Sequence, residues 1–158
     1  MDLIAEFGKV VDALRDAGVE YAVCGGLAVA LHGHVRATRD IDLLVPAEQK
    51  DQAMAALRDR GFTLTAGPIP FSTGTPQERT LFRASKVEGT ELLTVDLLLV
   101  SSVFREVWAS REEFTWQGRK VHAVSLAGLG KMKRLAHRTQ DLADLENLGL
   151  PAVVKDEK

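Results

Sequence analysis

A single cysteine, Cys24, in 158 residues excludes an intrachain disulfide framework and any zinc site built from cysteines alone. An excess of one charge is also missing: 20 basic residues face 22 acidic ones, for a net −2. No whole-molecule field draws such a chain to nucleic acid, and binding of that kind must use a local patch. Long hydrophobic runs are absent. The most apolar stretch, residues 92–100, is nine residues long and contains Asp96, far short of the ~20 residues a membrane helix requires. Asp2 and Glu6 stand where a secretory signal would be basic, so no export signal is expected and the protein is read as cytoplasmic, with no membrane partner. Without internal repeats or low-complexity tracts, a chain that is 46% hydrophobic predicts one domain over residues 1–150 and a frayed tail over residues 151–158.

What is present is an alternation of strand and helix patterns. Asp2 caps a helix whose Leu3, Ile4, Phe7, Val10, Val11 and Leu14 recur three and four apart and which closes at Gly18. Residues 20–24 predict a short strand, Gly25-Gly26 a tight turn, and residues 27–31 a short apolar helix. Residues 40–45 predict the next strand, and residues 47–60 a helix between Pro46 and Gly61. The prolines and glycines of residues 63–76 predict a long loop that covers a site. Two hairpins are expected, residues 81–85 with 92–100 around Gly89, and residues 114–116 with 121–124 around Gln117-Gly118. Ser125 caps a helix to about Arg138, followed by a helical segment over residues 139–148. The class is α/β (α+β): a small mixed sheet with antiparallel strands, flanking helices and a C-terminal helical segment.

Asp40 and Asp42 stand at i and i+2 of a strand, on one face and about 6.6 Å apart by two rises of ~3.3 Å. Such a pair repels itself unless a cation sits between the carboxylates or water screens them, so a metal site and two solvated aspartates ending a strand are both open. Asp96 interrupts the most apolar strand and must be paired, hydrogen-bonded or metal-bound; Arg36, Arg39 and Arg83 are its candidate ion-pair partners. Gly25-Gly26, between strand and helix, lets a phosphate approach backbone N–H groups at the positive helix end. Residues 117–138 carry Arg119, Lys120, Lys131, Lys133, Arg134 and Arg138 with no acidic residue. Lys131, Arg134 and Arg138 fall on one predicted helix face, suited to a triphosphate or RNA or simply to solvent. Asp141 and Asp144 either point back to a nucleotide or pair with Arg138 and Lys133.

Cys24-Gly25-Gly26, thirteen residues, then Asp40-Ile41-Asp42-Leu43 resembles the signature of the DNA polymerase β-like nucleotidyltransferase superfamily, with Asp96 suited to its third carboxylate. Residues 25–33 and 36–40 are most similar to the abortive-infection (AbiEii-like) branch of small bacterial enzymes. So is a helical Lys131 followed by Arg138, Asp141 and Asp144 in Arg-x-x-Asp-x-x-Asp order. The resemblance implies transfer of an NMP from an NTP to a hydroxyl acceptor, with release of pyrophosphate and with two Mg²⁺ ions. It implies Asp40, Asp42 and Asp96 as catalytic and metal-binding residues, and Gly25, Gly26, Arg36, Thr38, Lys131, Asp141 and Asp144 as nucleotide-binding ones. Many relatives have Ser after the first glycine, whose hydroxyl reaches phosphate, whereas Gly26 offers only its backbone. RNA, protein and small-molecule acceptors stay open, as do a toxin–antitoxin role with an antitoxin partner and a homo-oligomer. The rival readings are a catalytically silent nucleotide- or partner-binding module of this fold, and a Mg²⁺ phosphohydrolase with Asp40 as nucleophile, which leaves Gly25-Gly26 unexplained.

Overall fold

The Asp2 carboxylate accepts hydrogen bonds from the amides of Ile4 and Ala5 and opens α1 (Leu3–Asp16), as the pattern predicts. In the computed structural model, which describes residues 1–154, the chain continues through β1 (Ala22–Cys24), α2 (Gly25–Leu31), β2 (Asp40–Pro46) and α3 (Lys50–Arg58). Next come β3 (Leu64–Phe71), β4 (Arg79–Glu88), β5 (Glu91–Val100) and α4 (Arg105–Ala109). The last elements are β6 (Glu112–Trp116), β7 (Arg119–Ala123), α5 (Leu126–Ala136) and α6 (Thr139–Asn147). Residues 155–158 of the expected tail lie outside the described residues. The strands form one mixed seven-stranded sheet in the order β3-β4-β5-β2-β1-β7-β6, with β2 parallel to β5 and antiparallel to β1.

The two faces of this sheet have different fates. Ile41, Leu43, Val95 and Leu97 alternate onto one face and are fully buried together with Leu14, Leu57 and Phe62. Each such side chain contributes about 1.5–3 kcal/mol. Lys86, on that face, donates to Glu6 of α1 and so ties helix to sheet. On the opposite face α2 packs on β1 and β2 and against α5, while over β3, β4 and β5 the side chains of Leu64, Val87 and Leu92 stand exposed.

The structure corrects two expectations. Residues 64–71 are a strand rather than part of a loop: they pair with β4 from Leu64 opposite Ser85 to Ala66 opposite Arg83, and again from Ile69 to Phe71 beyond a register shift. As the edge strand, β3 tolerates Pro68 and Pro70, because no further strand asks for their amides. The helix after Ser125 stops at Ala136, where His137 turns left-handed at φ 53°, and Arg138 becomes the N-cap of α6. Arg138 therefore does not continue the helix face of Lys131 and Arg134.

Candidate active site

Parallel pairing of β2 with β5 sets Asp42 opposite Asp96 and Asp40 opposite Thr94. Register partners project from the same face, so the three carboxylates expected to act together share one side of the sheet. With strands about 4.8 Å apart, Asp42 and Asp96 lie closer across the sheet than Asp40 and Asp42 lie along it. Burial, and after it the charges of Asp96 and Asp40, push the Asp42 carboxyl up to about 7. Asp40, at the exposed start of β2, moves the same way, through desolvation first and then Asp96. Cys24 is opposite Asp42 in β1, and its thiol is raised well above its ordinary value by burial, so it offers no thiolate here.

Asp96 is held differently. Arg83, its register partner on β4, donates from Nε at 2.8 Å and from Nη2 at 3.2 Å to the two carboxylate oxygens. One of the ion-pair partners open from the sequence is thus present, although on an interior strand.

The glycine pair is required by what packs on it. A Cβ on Gly25, which has φ +64°, would fall 2.1 Å from Asp42 Oδ2. A Cβ on Gly26 would fall 2.5 Å from Thr38 Oγ1 and 3.1 Å from Arg36 Nη1. The absent side chains therefore admit the carboxylate of Asp42 beside Gly25, and the hydroxyl of Thr38 and the guanidinium of Arg36 beside Gly26. The hydroxyl of Thr38 stands close to where a serine at position 26 would begin its own side chain.

Asp141 and Asp144 are buried, at 1% and 0% exposure. Lys133 reaches both, at 3.1 Å and 2.8 Å. Arg36 clasps Asp144 through Nε and Nη2 at 2.8 and 2.9 Å, Gln140 adds a bond at 2.9 Å, and Arg138 donates to Asp141 at 2.8 Å. Burial works to raise both carboxyls, but these donors prevail and hold them below the ordinary carboxylate value. The network locks the residues that follow α2 to α5 and α6. The charges of Lys133 and Arg138 also reach Asp42 and oppose its rise.

The pairing of Asp141 and Asp144 with Arg138 and Lys133 that the sequence left open is thus present. Lys133, four residues after Leu129, lies on the buried side of α5. Lys131 instead opens on a cavity of about 290 Å³ shared with Gln77, Val103, Arg134 and His137.

The donor set on β2 and β5 suits a hard divalent cation: carboxylate oxygens only, on one face, with Asp42 driven toward protonation by burial and then by Asp96 and Asp40. Among the described residues no group of three or more His, Cys, Asp or Glu side chains is already drawn together closely enough to hold an ion. The Arg83 bonds occupy one lone pair on each oxygen of Asp96 and leave the others for a cation.

The family model described as aminoglycoside-2''-adenylyltransferase matches residues 6–148. No curated protein matches the chain. Among solved structures the chain is similar to ANT(2'')-Ia in complex with adenylyl-2''-tobramycin, at 18% identity and a TM-score of 0.60 over 92% of this chain and 86% of that one. It is similar to the lincosamide antibiotic adenylyltransferase LnuA, lincomycin-bound, at 20% identity and a TM-score of 0.59, over 92% and 95%. An antigenic nucleotidyltransferase-like protein from Paracoccidioides brasiliensis shares 19% identity with a TM-score of 0.55, over 90% and 74%. At these identities the likeness establishes the mixed α/β nucleotidyltransferase fold.

Proposed function

The chain belongs to the aminoglycoside-2''-adenylyltransferase family of DNA polymerase β-like nucleotidyltransferases, and from that premise we propose that it transfers an NMP, AMP in the first instance, from an NTP to a hydroxyl of a small molecule. The observation that carries this reading is the pairing of Asp42 with Asp96 across β2 and β5, with Asp40 on the same face and Gly25 packed on Asp42.

Asp40, Asp42 and Asp96 would hold two Mg²⁺ ions. Such ions supply the lowered pKa of the acceptor hydroxyl and the neutralisation of charge on the departing pyrophosphate. Asp96, on the side of the open sheet, is the group to receive the hydroxyl proton. Thr38, Arg36 and the backbone of Gly25 and Gly26 line the phosphate side, with the Thr38 hydroxyl taking the part that serine plays where it follows the first glycine. Asp144 and Asp141 act on the nucleotide through the cations they orient, Arg36, Lys133 and Arg138. Lys131, in the cavity that also includes His137, binds the far end of the nucleotide. The abortive-infection branch and a toxin–antitoxin role draw no support from the matches, and a silent binding module leaves the clustered carboxylates without a task.

Incubation with each α-³²P-labelled NTP, Mg²⁺ and a small-molecule extract tests the reading, with Asp40→Ala as the comparison. Label transferred to a hydroxyl compound by the wild type alone supports it. Equal labelling by both proteins, or Mg²⁺-dependent NTP binding with no transfer, overturns it.

A further inference from the structure

The sheet orders the parts of the site from one edge to the other: Gly25 after β1, Asp42 on β2, Asp96 on β5, Arg83 on β4 and Ala66 on β3. With phosphate groups on the Gly25 side, an attacking hydroxyl arrives over β5, β4 and β3, where Leu81 and Ser85 are buried but Leu64, Val87 and Leu92 stand exposed.

The composition of that open face is fixed by register. Ser85 faces Thr94, with their hydroxyls 3.0 Å apart, and Val87 faces Leu92. Leu64 faces Ser85. Leu64, Val87 and Leu92 are 56%, 52% and 62% exposed at one end of this face, with Val87 opposite Leu92 and Leu64 diagonal to Val87. Leu92 lies four residues, about 13 Å at ~3.3 Å per residue, along β5 from Asp96, which is within the span of one drug-sized molecule. On β3, β4 and β5 the only carboxylate on this face is Asp96, which Arg83 already pairs, and Arg79 stands four residues beyond Arg83 on the side away from Val87 and Leu92. A polycationic amino sugar finds no unpaired carboxylate beside Leu64, Val87 and Leu92.

Resting on the transferase reading, we infer that the acceptor is an uncharged, amphipathic hydroxyl compound whose apolar side lies on Leu64, Val87 and Leu92 while its hydroxyl reaches Asp96. The patch separates this protein's acceptor from the polycationic class that the family's description names.

The test uses the full chain with Mg²⁺ and a non-hydrolysable ATP analogue, and titrates three probes: octyl glucoside below its micelle concentration, tobramycin, and per-N-acetylated tobramycin, which keeps the hydroxyls and loses the charge. The expected result is octyl glucoside binding at least tenfold more tightly than tobramycin, acetylation strengthening the tobramycin scaffold, and Val87→Glu with Leu92→Glu reversing the order. Tobramycin preferred by the wild type, or an order unmoved by the double substitution, overturns the assignment. So does a dimer in sedimentation that the double substitution dissociates, since the patch would then be covered by a second copy. The ATP analogue is titrated alone in parallel: failure to bind it overturns the transferase reading itself, whereas its binding with the wrong probe order overturns only the acceptor chemistry.

Discussion

Asp42 is half-buried and Asp144 fully buried, yet the first is driven up to about 7 and the second is held below the ordinary carboxylate value. The difference lies in what surrounds them. Asp144 meets Lys133, a bidentate Arg36 and Gln140, so its charge is compensated within the fold. Asp42 meets Asp96 and Asp40, and its closest structural partner is the bare backbone of Gly25. Asp144 is compensated by cations in direct contact, whereas at Asp42 the charges of Lys133 and Arg138 do not overcome burial and the two neighbouring carboxylates, an imbalance that the proposed metal ions would offset. Stability and function are thus divided between two groups of aspartates in one small domain.

The largest effect that would sharpen this contrast is on catalysis. Asp42→Asn should lower kcat/KM for transfer by about 10³-fold or more, equivalent to ~4 kcal/mol of transition-state stabilisation. The same change should raise the melting temperature in chelator, because it removes a charge that burial opposes. A fall in both would place Asp42 with the structural aspartates.

Next in size is the pair of lysines on α5. Lys133→Met leaves Asp141 and Asp144 short of a cation in the interior and should cost about 3–5 kcal/mol in denaturant unfolding. Lys131→Ala, on the cavity wall, should leave the unfolding midpoint unchanged and weaken nucleotide binding a few-fold. Equal destabilisation by the two substitutions would break the distinction.

The pH dependence of stability follows from the opposite signs of the shifts. Asp42 has a raised folded-state pKa, so in the metal-free protein its favourable contribution is complete below the unfolded value of 3.8 and is lost as pH rises through about 7. Melting temperature in chelator should therefore fall between pH 5 and 8, and Mg²⁺ should restore more of it at pH 8 than at pH 5. Asp141 and Asp144, with lowered values, contribute stability that is present above 3.8 and lost on acidification below it. Thermal scans across pH with and without Mg²⁺ check both slopes.

The smallest effect concerns Thr38. Thr38→Val should raise the KM for NTP about tenfold, the loss of one hydrogen bond to a charged group. Gly26→Ser alone should be impaired by the 2.5 Å approach of Thr38 Oγ1, and Thr38→Ala should relieve it by making room for the serine hydroxyl. Non-compensation in the double variant would argue against the two positions sharing one task.

Much of this was legible in the sequence because the signals were local. Asp40 and Asp42 at i and i+2, the glycine pair and the lone Asp96 in an apolar strand each announce themselves within a few residues, and the strand pattern fixes their face. What escaped was long-range. The proline-rich residues 64–71 become β3 only because β4 supplies a ladder and the sheet edge excuses the missing amides. The register of the β4–β5 hairpin chooses Arg83 among the three arginines open to Asp96, and Thr38 reaches Gly26 through the path of the chain after α2. Lys133 was one of two partners open to Asp141 and Asp144, and the sequence did not choose between that pairing and a nucleotide. Its role is set by α6 folding back, which the turn at His137 brings about.

The central claim, that Asp40, Asp42 and Asp96 hold the ions of a two-metal transferase, is tested most directly by Mn²⁺ binding. The free Mn²⁺ signal in electron paramagnetic resonance would be followed as the full chain is titrated in the presence of a non-hydrolysable ATP analogue. The account predicts uptake of about two Mn²⁺ per chain by the wild type and a loss of that uptake in Asp42→Asn, whose fold stays intact. Equal Mn²⁺ uptake by the two proteins would contradict it.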